Sequence, residues 1–254
     1  MKSIKHSIQR RDFLRLGTVG LLVTANDIFW HIKPAQAAEP ILQSLDPNTA
    51  LQKLIEGNLR FAEHHPEYPD QSLARLQEVA QAQHPFATIL SCADSRVPAE
   101  IIFDQGIGDI FDVRIAGNIA TPEAIGSIEY AVVLLGTPVL MVLGHERCGA
   151  VTAAVKNQVL PGEIGSFVKA ILPAVDRVKE QPGDAVDNAV VANVQYQIET
   201  LKRSPLLSER LRSGKLKIVG GRYDLDTGKV IIITDNSSPP DLCYSSLNSL
   251  LPDE

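Results

Sequence analysis

The sequence predicts an α/β fold in which short buried strands form a parallel sheet and helices connect them. Two apolar runs, residues 86–90 and 139–143, carry this prediction, because strands that are buried on both faces read as continuous apolar segments. Helical spacing over residues 123–135 supplies the crossover that a pair of parallel strands requires. A chain of 254 residues is long enough to form one sizeable core.

The first 38 residues differ in composition from the rest of the chain and have the order of an export signal. A basic start is followed by a moderately apolar stretch over residues 14–32, and Ala35-Gln36-Ala37 supplies a cleavage site of the A-x-A type. Arg10-Arg11-Asp12-Phe13-Leu14 resembles the twin-arginine export motif. The alternative is a basic amphipathic helix or the ordinary start of a cytosolic enzyme, which does not explain this order of segments.

We therefore expect residues 1–37 to be removed as a twin-arginine-type signal peptide, which leaves residues 38–254 as a single catalytic domain. The expected destination is the periplasm, or a comparable location such as a thylakoid lumen or the extracellular space. Beyond the N-terminus no window has the length and purity of a membrane span, so no integral membrane segment is expected after removal of the signal.

The composition excludes two further classes of protein. The formal net charge is −6 and aromatic residues make up 5% of the chain, so without a basic patch a nucleic-acid partner is not expected. The three cysteines, Cys92, Cys148 and Cys243, are too few for a disulfide framework. No motif surrounds Cys243.

Two helices are predicted before the first strand. Asp46 suits an N-cap with Pro47 at the first helical position, and apolar residues then recur at helical spacing to about His64. The apolar face of this helix consists of Leu51, Leu54 and Ile55. That face could pack within the subunit or against a second copy of the chain. A second amphipathic helix is predicted over residues 72–83.

The remaining elements follow from apolar periodicity and from Gly and Pro at the ends of segments. The predicted segments are a short helix over residues 97–103, a strand over 109–115, a helix over 149–157, two or three helices between 163 and 213, and strands over 216–223 and 229–234. Asp226-Thr227-Gly228 lies between the last two strands and predicts a hairpin.

Polar residues follow two of the predicted strands at their carboxyl ends, where open α/β sheets collect their chemistry. Cys92, Asp94 and Arg96 follow the first apolar run, and His145 and Cys148 follow the other. Two thiolates and one imidazole form a zinc ligand set, and three protein ligands leave the fourth position open, as catalytic zinc requires. Asp94 could fill or guard that position.

Each of these residues also has a plainer interpretation when it is taken alone. Cys92 could be a small buried hydrophobe, and His145 could be a core histidine with satisfied hydrogen bonds. Asp94 and Arg96 could form an ordinary ion pair. A structural zinc site normally has four protein ligands, whereas this set has three and an acid, so the joint occurrence favours a catalytic zinc site.

The spacing of these residues resembles that of the β-class carbonic anhydrases. Cys92-Ala93-Asp94-Ser95-Arg96 and His145-Glu146-Arg147-Cys148 match the two motifs of the family in the same order, and Ala116-Gly117-Asn118 and Ser127-Ile128-Glu129-Tyr130-Ala131 strengthen the match. The resemblance extends over roughly residues 45–235. It implies an α/β/α sandwich around a mostly parallel β-sheet, with an N-terminal helical arm that clasps a second subunit in a homodimer or higher oligomer.

The same resemblance implies the reaction, which is the reversible hydration of carbon dioxide to bicarbonate and a proton by zinc-bound hydroxide. One Zn²⁺ ion in each subunit would be held by Cys92, His145 and Cys148. Asp94 and Arg96 would form the catalytic pair, and Asp94 would act as a fourth ligand in a closed state of the site.

Substrate-pocket residues are implied by the resemblance as well. Gln83 stands nine residues before Cys92, as a glutamine does in the plant-like branch of the family, and could donate to an oxygen of carbon dioxide or bicarbonate. Phe111 and Tyr130 match residues of an apolar pocket that lies partly across a dimer interface, with core packing as the alternative for both. The backbone N–H of Gly149 could meet a substrate oxygen.

Two other functions are left open by the sequence. One is a zinc enzyme of the same fold that acts on carbon disulfide or carbonyl sulfide. Such an enzyme would differ from a carbonic anhydrase in the access to its pocket and not in its metal ligands. The other is a non-enzymatic zinc-binding homologue. The intact pair of Asp94 and Arg96 argues against the second, because a purely structural site does not need that pair.

Overall fold

Within residues 45–233, which the computed structural model describes, five strands form one sheet in the order β2-β1-β3-β4-β5. The strands are β1 (Ala87–Ser91), β2 (Ile110–Arg114), β3 (Val139–His145), β4 (Lys217–Tyr223) and β5 (Val230–Ile233). The first four are parallel to one another, and β5 joins the sheet antiparallel to β4. The predicted mostly parallel sheet is confirmed, whereas the predicted signal peptide and Cys243 lie outside the described residues.

Helices connect these strands, and most of them begin at a polar side chain. Those in the described part of the chain are α1 (Pro47–Ala62), α2 (Leu73–Val79), α3 (Ala99–Ile102), α4 (Pro122–Glu129), α5 (Gly149–Val155), α6 (Gly165–Val178), α7 (Ala185–Lys202) and α8 (Pro205–Arg212). Side-chain oxygens accept first-turn N–H groups at the starts of α1, α2, α4, α7 and α8, which is how such residues stabilise helix ends. No helix among residues 45–233 is long and apolar enough to cross a membrane.

The sheet has an apolar layer on each face, because neighbouring residues of a strand point to opposite sides. On one face Ile89 belongs to a buried cluster with Leu54 of α1. On the other face Leu90 belongs to a cluster with Ile128 of α4 and Leu201 of α7. Helices therefore cover both faces, and the predicted α/β/α sandwich is confirmed.

The first helix packs within its own subunit. Leu51 and Leu54 are 4% and 0% exposed, and both lie in the core cluster that also contains Phe103 and Met141. Of the two placements that the sequence left open for the apolar face of α1, packing within the subunit is the one observed. Leu51 and Leu54 therefore anchor α1 in the core of its own subunit.

The second helix is shorter than predicted and lies on the surface. Ser72 caps it as expected, but it ends at Val79 and not at Gln83. None of its residues is buried, and Leu73 and Leu76 are 69% and 50% exposed. Without a core contact, a short segment has little to stabilise further helical turns.

The predicted helix over residues 123–135 divides into two parts. α4 ends at Glu129, and the chain continues as one π-helical stretch, Tyr130–Leu134. Wider π-helical turns are rare and occur often at functional sites. Here the change begins at Tyr130, one of the residues that the resemblance places in the substrate pocket.

The predicted C-terminal hairpin is confirmed and is tied to α1 by one buried amide. β4 pairs with β5 across the turn that contains Gly228. Asn58 of α1 is 3% exposed, donates to the carbonyl oxygens of Ile102 and Gly228, and accepts from the N–H of Val230. These hydrogen bonds stabilise the face of the sheet that α1 and α3 cover.

Candidate active site

Three predicted ligands converge at the carboxyl ends of two adjacent strands. β1 and β3 are parallel neighbours with Ser91 opposite Leu143, so Cys92 directly after β1 and His145 at the end of β3 lie side by side. Cys148 precedes α5 and completes the group. One ligand atom from each residue lies within 4.8 Å of the others, and the three side chains are at most 5% exposed.

The imidazole of His145 presents one nitrogen to this group. Its Nδ1 lies 2.8 Å from the carbonyl oxygen of Glu146, which requires the proton to sit on Nδ1 and fixes the tautomer. The Nε2 atom is buried and has no hydrogen-bond partner among the described residues. Because a buried polar atom without a partner is costly, this nitrogen fits a metal ligand.

The two thiols share a contact that favours the loss of one proton. The hydrogen bond from Cys148 lowers the pKa of Cys92 well below its ordinary value, although burial opposes the shift, and the N–H of Gly117 adds to the lowering. The same contact and burial raise the pKa of Cys148. A divalent cation in place of the remaining proton would compensate both thiolates. Two thiolates and a neutral imidazole are a donor set that suits zinc.

Asp94 is held beside the ligands by Arg96. The guanidinium donates from Nε to Oδ1 at 2.9 Å and from Nη2 to Oδ2 at 2.7 Å, and the backbone N–H of Arg96 also donates to Oδ1. This bidentate pair holds the pKa of Asp94 well below its usual range. The carboxylate Oδ2 lies 3.8 Å from Nε2 of His145, so it faces the position between the ligands.

Arg114, the last residue of β2, supports the segment that carries these groups. Its side chain donates to the carbonyl oxygen of Cys92 at 3.2 Å and to that of Asp94 at 2.7 Å. No motif in the sequence predicts these contacts, because a single arginine at a strand end carries no such signal. The two bonds fix the backbone on both sides of Ala93.

A carboxylate whose side chain is only 12% exposed lies next to this support. Asp112 of β2 accepts a hydrogen bond from the hydroxyl of Ser91 at 3.3 Å, and its Oδ2 is 4.0 Å from Nε of Arg114. Burial, together with the negative charge of Glu100, raises the pKa of Asp112 to about 6. Sequence reasoning did not single out this residue.

Phe111 lies opposite Thr88 near the start of β1, and Gln83 precedes that strand, so neither is at the end of β1 where the metal ligands meet. The rings of Phe111 and Tyr130 are in contact, with centroids 6.2 Å apart, and Tyr130 is 45% exposed. Gln83 is exposed and precedes β1, whereas Cys92 follows it. Five extended residues span about 16 Å, so the length of β1 separates the two. Gly149, by contrast, directly follows Cys148 and begins α5.

A second group of acids lies near the site, and two of its three members are paired with arginines. Glu146, Asp224 and Asp226 could together approach a cation. Arg222 contacts Glu146 at 2.6 Å, and Arg147 donates to both oxygens of Asp226 at 2.8 and 2.7 Å. These contacts make the group an ion-pair network that secures the turn after β3 against the hairpin.

Comparison with known proteins places the same region in one family. The family model described as carbonic anhydrase matches residues 87–230. Carbonic anhydrase 2 of Mycobacterium tuberculosis is 41% identical over 196 residues, which cover 75% of this chain and 95% of that protein. The carbonic anhydrase of Mycolicibacterium smegmatis is 38% identical over 190 residues, which cover 73% of this chain and 92% of that protein.

Solved structures agree with these matches. The β-carbonic anhydrase CcaA has a TM-score of 0.59 and 29% identity, over 72% of this chain and 94% of that chain. The β-carbonic anhydrase CafA of Aspergillus fumigatus has a TM-score of 0.61 and 26% identity, over 81% and 99% of the two chains. The similarity therefore includes both the sheet and the strand ends that carry the site.

Proposed function

This chain belongs to the β-class carbonic anhydrase family, and we propose that Cys92, His145 and Cys148 hold one zinc ion while Asp94 and Arg96 assist the reaction. The enzyme catalyses the reversible hydration of carbon dioxide to bicarbonate and a proton. The observation that carries the proposal is the convergence of three buried donors, one of them the unpartnered Nε2 of His145. When bound, a zinc ion lowers the pKa of a water molecule and supplies a nucleophile at neutral pH.

Asp94 orients this nucleophile in our proposal. The bond from Arg96 keeps the carboxylate ionised, so at neutral pH it accepts a hydrogen bond and does not donate one. Acceptance of that hydrogen directs the lone pair of the attacking oxygen toward carbon dioxide. Arg96 has a second role, because both of its bonds hold Asp94 away from the ligands.

Gly149 is proposed to contact the product. It begins α5, and the first N–H groups of a helix have no acceptor within that helix. An N–H at this position, next to Cys148, would donate to an oxygen of bicarbonate. The negative charge of bicarbonate is favoured at the start of a helix.

The apolar part of the pocket is proposed to come from a second copy of the chain in a homodimer or higher oligomer. Gln83 is separated from Cys92 of its own chain by the length of β1, and Phe111 lies opposite Thr88, four residues before Cys92. Phe111 lies on β2, which is an edge strand of the sheet within residues 45–233, and unpaired edges are ready contact surfaces. Phe111, Tyr130 and Gln83 of one copy would then complete the site of the other.

We also propose that residues 1–37 form a twin-arginine-type signal and that the mature domain is exported to the periplasm or a similar compartment. This route carries folded proteins, which suits a chain whose metal ligands include two thiols. In the reducing cytoplasm the thiols can bind zinc while the chain folds, because metal binding and folding are coupled. In an oxidising compartment, the thiols of an unfolded chain could instead form a disulfide that prevents zinc binding.

The substrate is tested by assaying zinc-loaded mature protein on three gases. We expect rapid hydration of carbon dioxide between about pH 6.5 and 9, the range in which zinc-activated water ionises. Carbonyl sulfide and carbon disulfide should be poor substrates. Turnover of either of these gases with no hydration of carbon dioxide would assign the site to the alternative hydrolase activity.

A further inference from the structure

Two buried amides of α7 bind the loop that follows β2. Asn193 and Gln197 are 0% and 2% exposed. Asn193 donates from Nδ2 to the carbonyl oxygen of Gly117, and Gln197 donates from Nε2 to Oδ1 of Asn193, both at 2.9 Å. The N–H of Ala120 donates to Oε1 of Gln197 at 2.9 Å. The two side chains thus form a continuous series of hydrogen bonds that begins and ends in the same loop.

Gly117 connects this loop to the metal ligands. Its N–H donates to Sγ of Cys92 at 3.3 Å, while its carbonyl oxygen accepts from Asn193. Its φ is +73°, and a Cβ atom would lie 2.6 Å from Cδ1 of Ile171, so only glycine fits here. The peptide groups on the two sides of its Cα atom are therefore held by different partners.

The surroundings of the amides make their contacts specific. On α7 the neighbouring buried residues are apolar, among them Val190, Val194 and Ile198. A polar group in such surroundings is costly unless it is hydrogen-bonded. The bonds described above run between the two amides and to the loop at Gly117 and Ala120. A leucine at either position would fill space, but it could not hold that loop.

We propose that Asn193 and Gln197 are positioning residues for the metal centre. They fix the loop so that the N–H of Gly117 points at the sulfur of Cys92, and through this bond they set how firmly that sulfur holds a metal ion. Hydrogen bonds to metal ligands fix their orientation and adjust their donor strength. This inference rests on the zinc site proposed above, and it adds residues that lie outside the family's short motifs.

Asn58 offers a matched control. It is as buried as the two amides of α7, at 3% exposure, and it also bonds the backbone of distant segments. Its partners lie in the core on the α1 face and in the C-terminal hairpin. Loss of Asn58 should lower the stability of the fold without changing the metal ligands.

The test compares Asn193→Ala, Gln197→Met and Asn58→Ala in the full-length chain. Zinc affinity is measured by competition with a chromophoric chelator, the sulfur-to-metal charge-transfer band is recorded with cobalt in place of zinc, and the unfolding midpoint is measured without metal. Gln197→Met is nearly isosteric, so it provides a folded variant if Asn193→Ala does not fold. We expect the two α7 variants to bind zinc about 10- to 100-fold more weakly and to shift the cobalt band. Asn58→Ala should change only the midpoint.

The results that would contradict this proposal are distinct from those that would contradict the zinc site. If folded Gln197→Met keeps the zinc affinity and the cobalt band of the wild type, the positioning role is wrong. The role is also wrong if Asn58→Ala weakens zinc binding as much as the α7 variants do. Cys92→Ser separates this failure from failure of the proposed function. Retention of zinc by Cys92→Ser would overturn the zinc site itself, whereas its loss together with normal binding by Gln197→Met would overturn only the role of the amides.

Discussion

Arg96 donates two nearly parallel hydrogen bonds to Asp94, of 2.9 and 2.7 Å, while Oδ2 of the same carboxylate lies 3.8 Å from Nε2 of His145. The carboxylate thus lies beside the imidazole nitrogen that we assign to the metal, and the guanidinium restrains it. Asp94 can serve as an acceptor only while it remains off the metal. The bidentate geometry matters here, because it fixes the orientation of the carboxylate as well as its charge.

Arg96→Ala should release Asp94 and close the site. The carboxylate is expected to bind the zinc ion as a fourth ligand, and carbon dioxide hydration should fall by about 10²- to 10⁴-fold, the usual contribution of a positioned acid or base. A crystal structure of the zinc-loaded variant shows which ligands are bound. Asp94→Asn provides the control, because it should lose activity without strong coordination of the metal. An unmoved Asp94 in a fully active Arg96→Ala variant would disprove the restraining role.

Asp112→Asn should stabilise the protein at neutral pH. The pKa of this carboxyl is about 6 in the folded protein, against 3.8 for an exposed aspartate, so the folded state binds its proton more tightly than the unfolded state does. Stability of the wild type relative to Asp112→Asn should therefore rise as the pH falls from about 7 to 4. At neutral pH the variant should be more stable by about 1–3 kcal/mol, as measured by urea unfolding at each pH.

Asp104 supplies a control of the opposite sign. Burial alone would raise its pKa, but hydrogen bonds from the N–H groups of Glu67 and Tyr68 and from Arg60 lower it below the usual value. Its contribution to stability is present at neutral pH and is lost as the pH falls through its folded pKa. Asp104→Asn should therefore be less stable than the wild type at pH 7, with the difference shrinking in acid. If the stabilities of the two variants relative to the wild type change with pH in the same direction, the environments assigned to Asp104 and Asp112 are wrong.

Two inactive variants should restore activity when their subunits are mixed. Cys148→Ser removes a metal ligand, and Gln83→Ala removes a proposed substrate contact, so each should be inactive by itself. If Gln83 acts in the site of the other subunit, a mixed dimer contains one complete site. Mixing after subunit exchange should recover part of the hydration rate. If mass spectrometry verifies subunit exchange but the hydration rate does not recover, Gln83 does not act in the pocket of the other subunit.

Replacement of the two arginines of the export motif should retain the protein in the cytoplasm. Arg10→Lys together with Arg11→Lys should leave it unprocessed there, while the wild type is exported and cleaved before Ala38. The exported pool should carry zinc and no disulfide between Cys92 and Cys148, because the sulfurs are occupied before export. Cell fractionation and mass spectrometry measure these results. Normal export of the double variant, or a disulfide in the mature pool, contradicts the proposal.

The sequence predicts the strands well because burial leaves a direct pattern in it. Residues 86–90 and 139–143 are continuous apolar runs, and they correspond closely to β1 (Ala87–Ser91) and β3 (Val139–His145). The metal ligands follow from the same pattern, since the carboxyl ends of adjacent parallel strands meet. Helix placement is harder to predict. The apolar face of α1 shows that it is buried, but its pattern does not show in which subunit.

The supporting residues of the site could not be predicted from local pattern. Arg114, Asn193 and Gln197 act through contacts that join segments 20 to 77 residues apart. In the sequence, Asn193 and Gln197 read as polar positions of an amphipathic helix, and only the packed structure shows that both are buried. Gly117 lies within a recognised motif, but its bond to Cys92 depends on a loop conformation that those two amides stabilise.

We propose that one zinc ion, held by Cys92, His145 and Cys148, makes this chain an active carbonic anhydrase. The most direct measurement is carbon dioxide hydration during titration of the metal-free mature protein with zinc, alongside Cys148→Ser, because an alcohol is a poor ligand for zinc at neutral pH. We expect no activity without metal, a linear rise that stops at one zinc ion per subunit, and almost no activity in the variant. Full activity before zinc is added, or a wild-type titration curve for Cys148→Ser, would contradict this proposal.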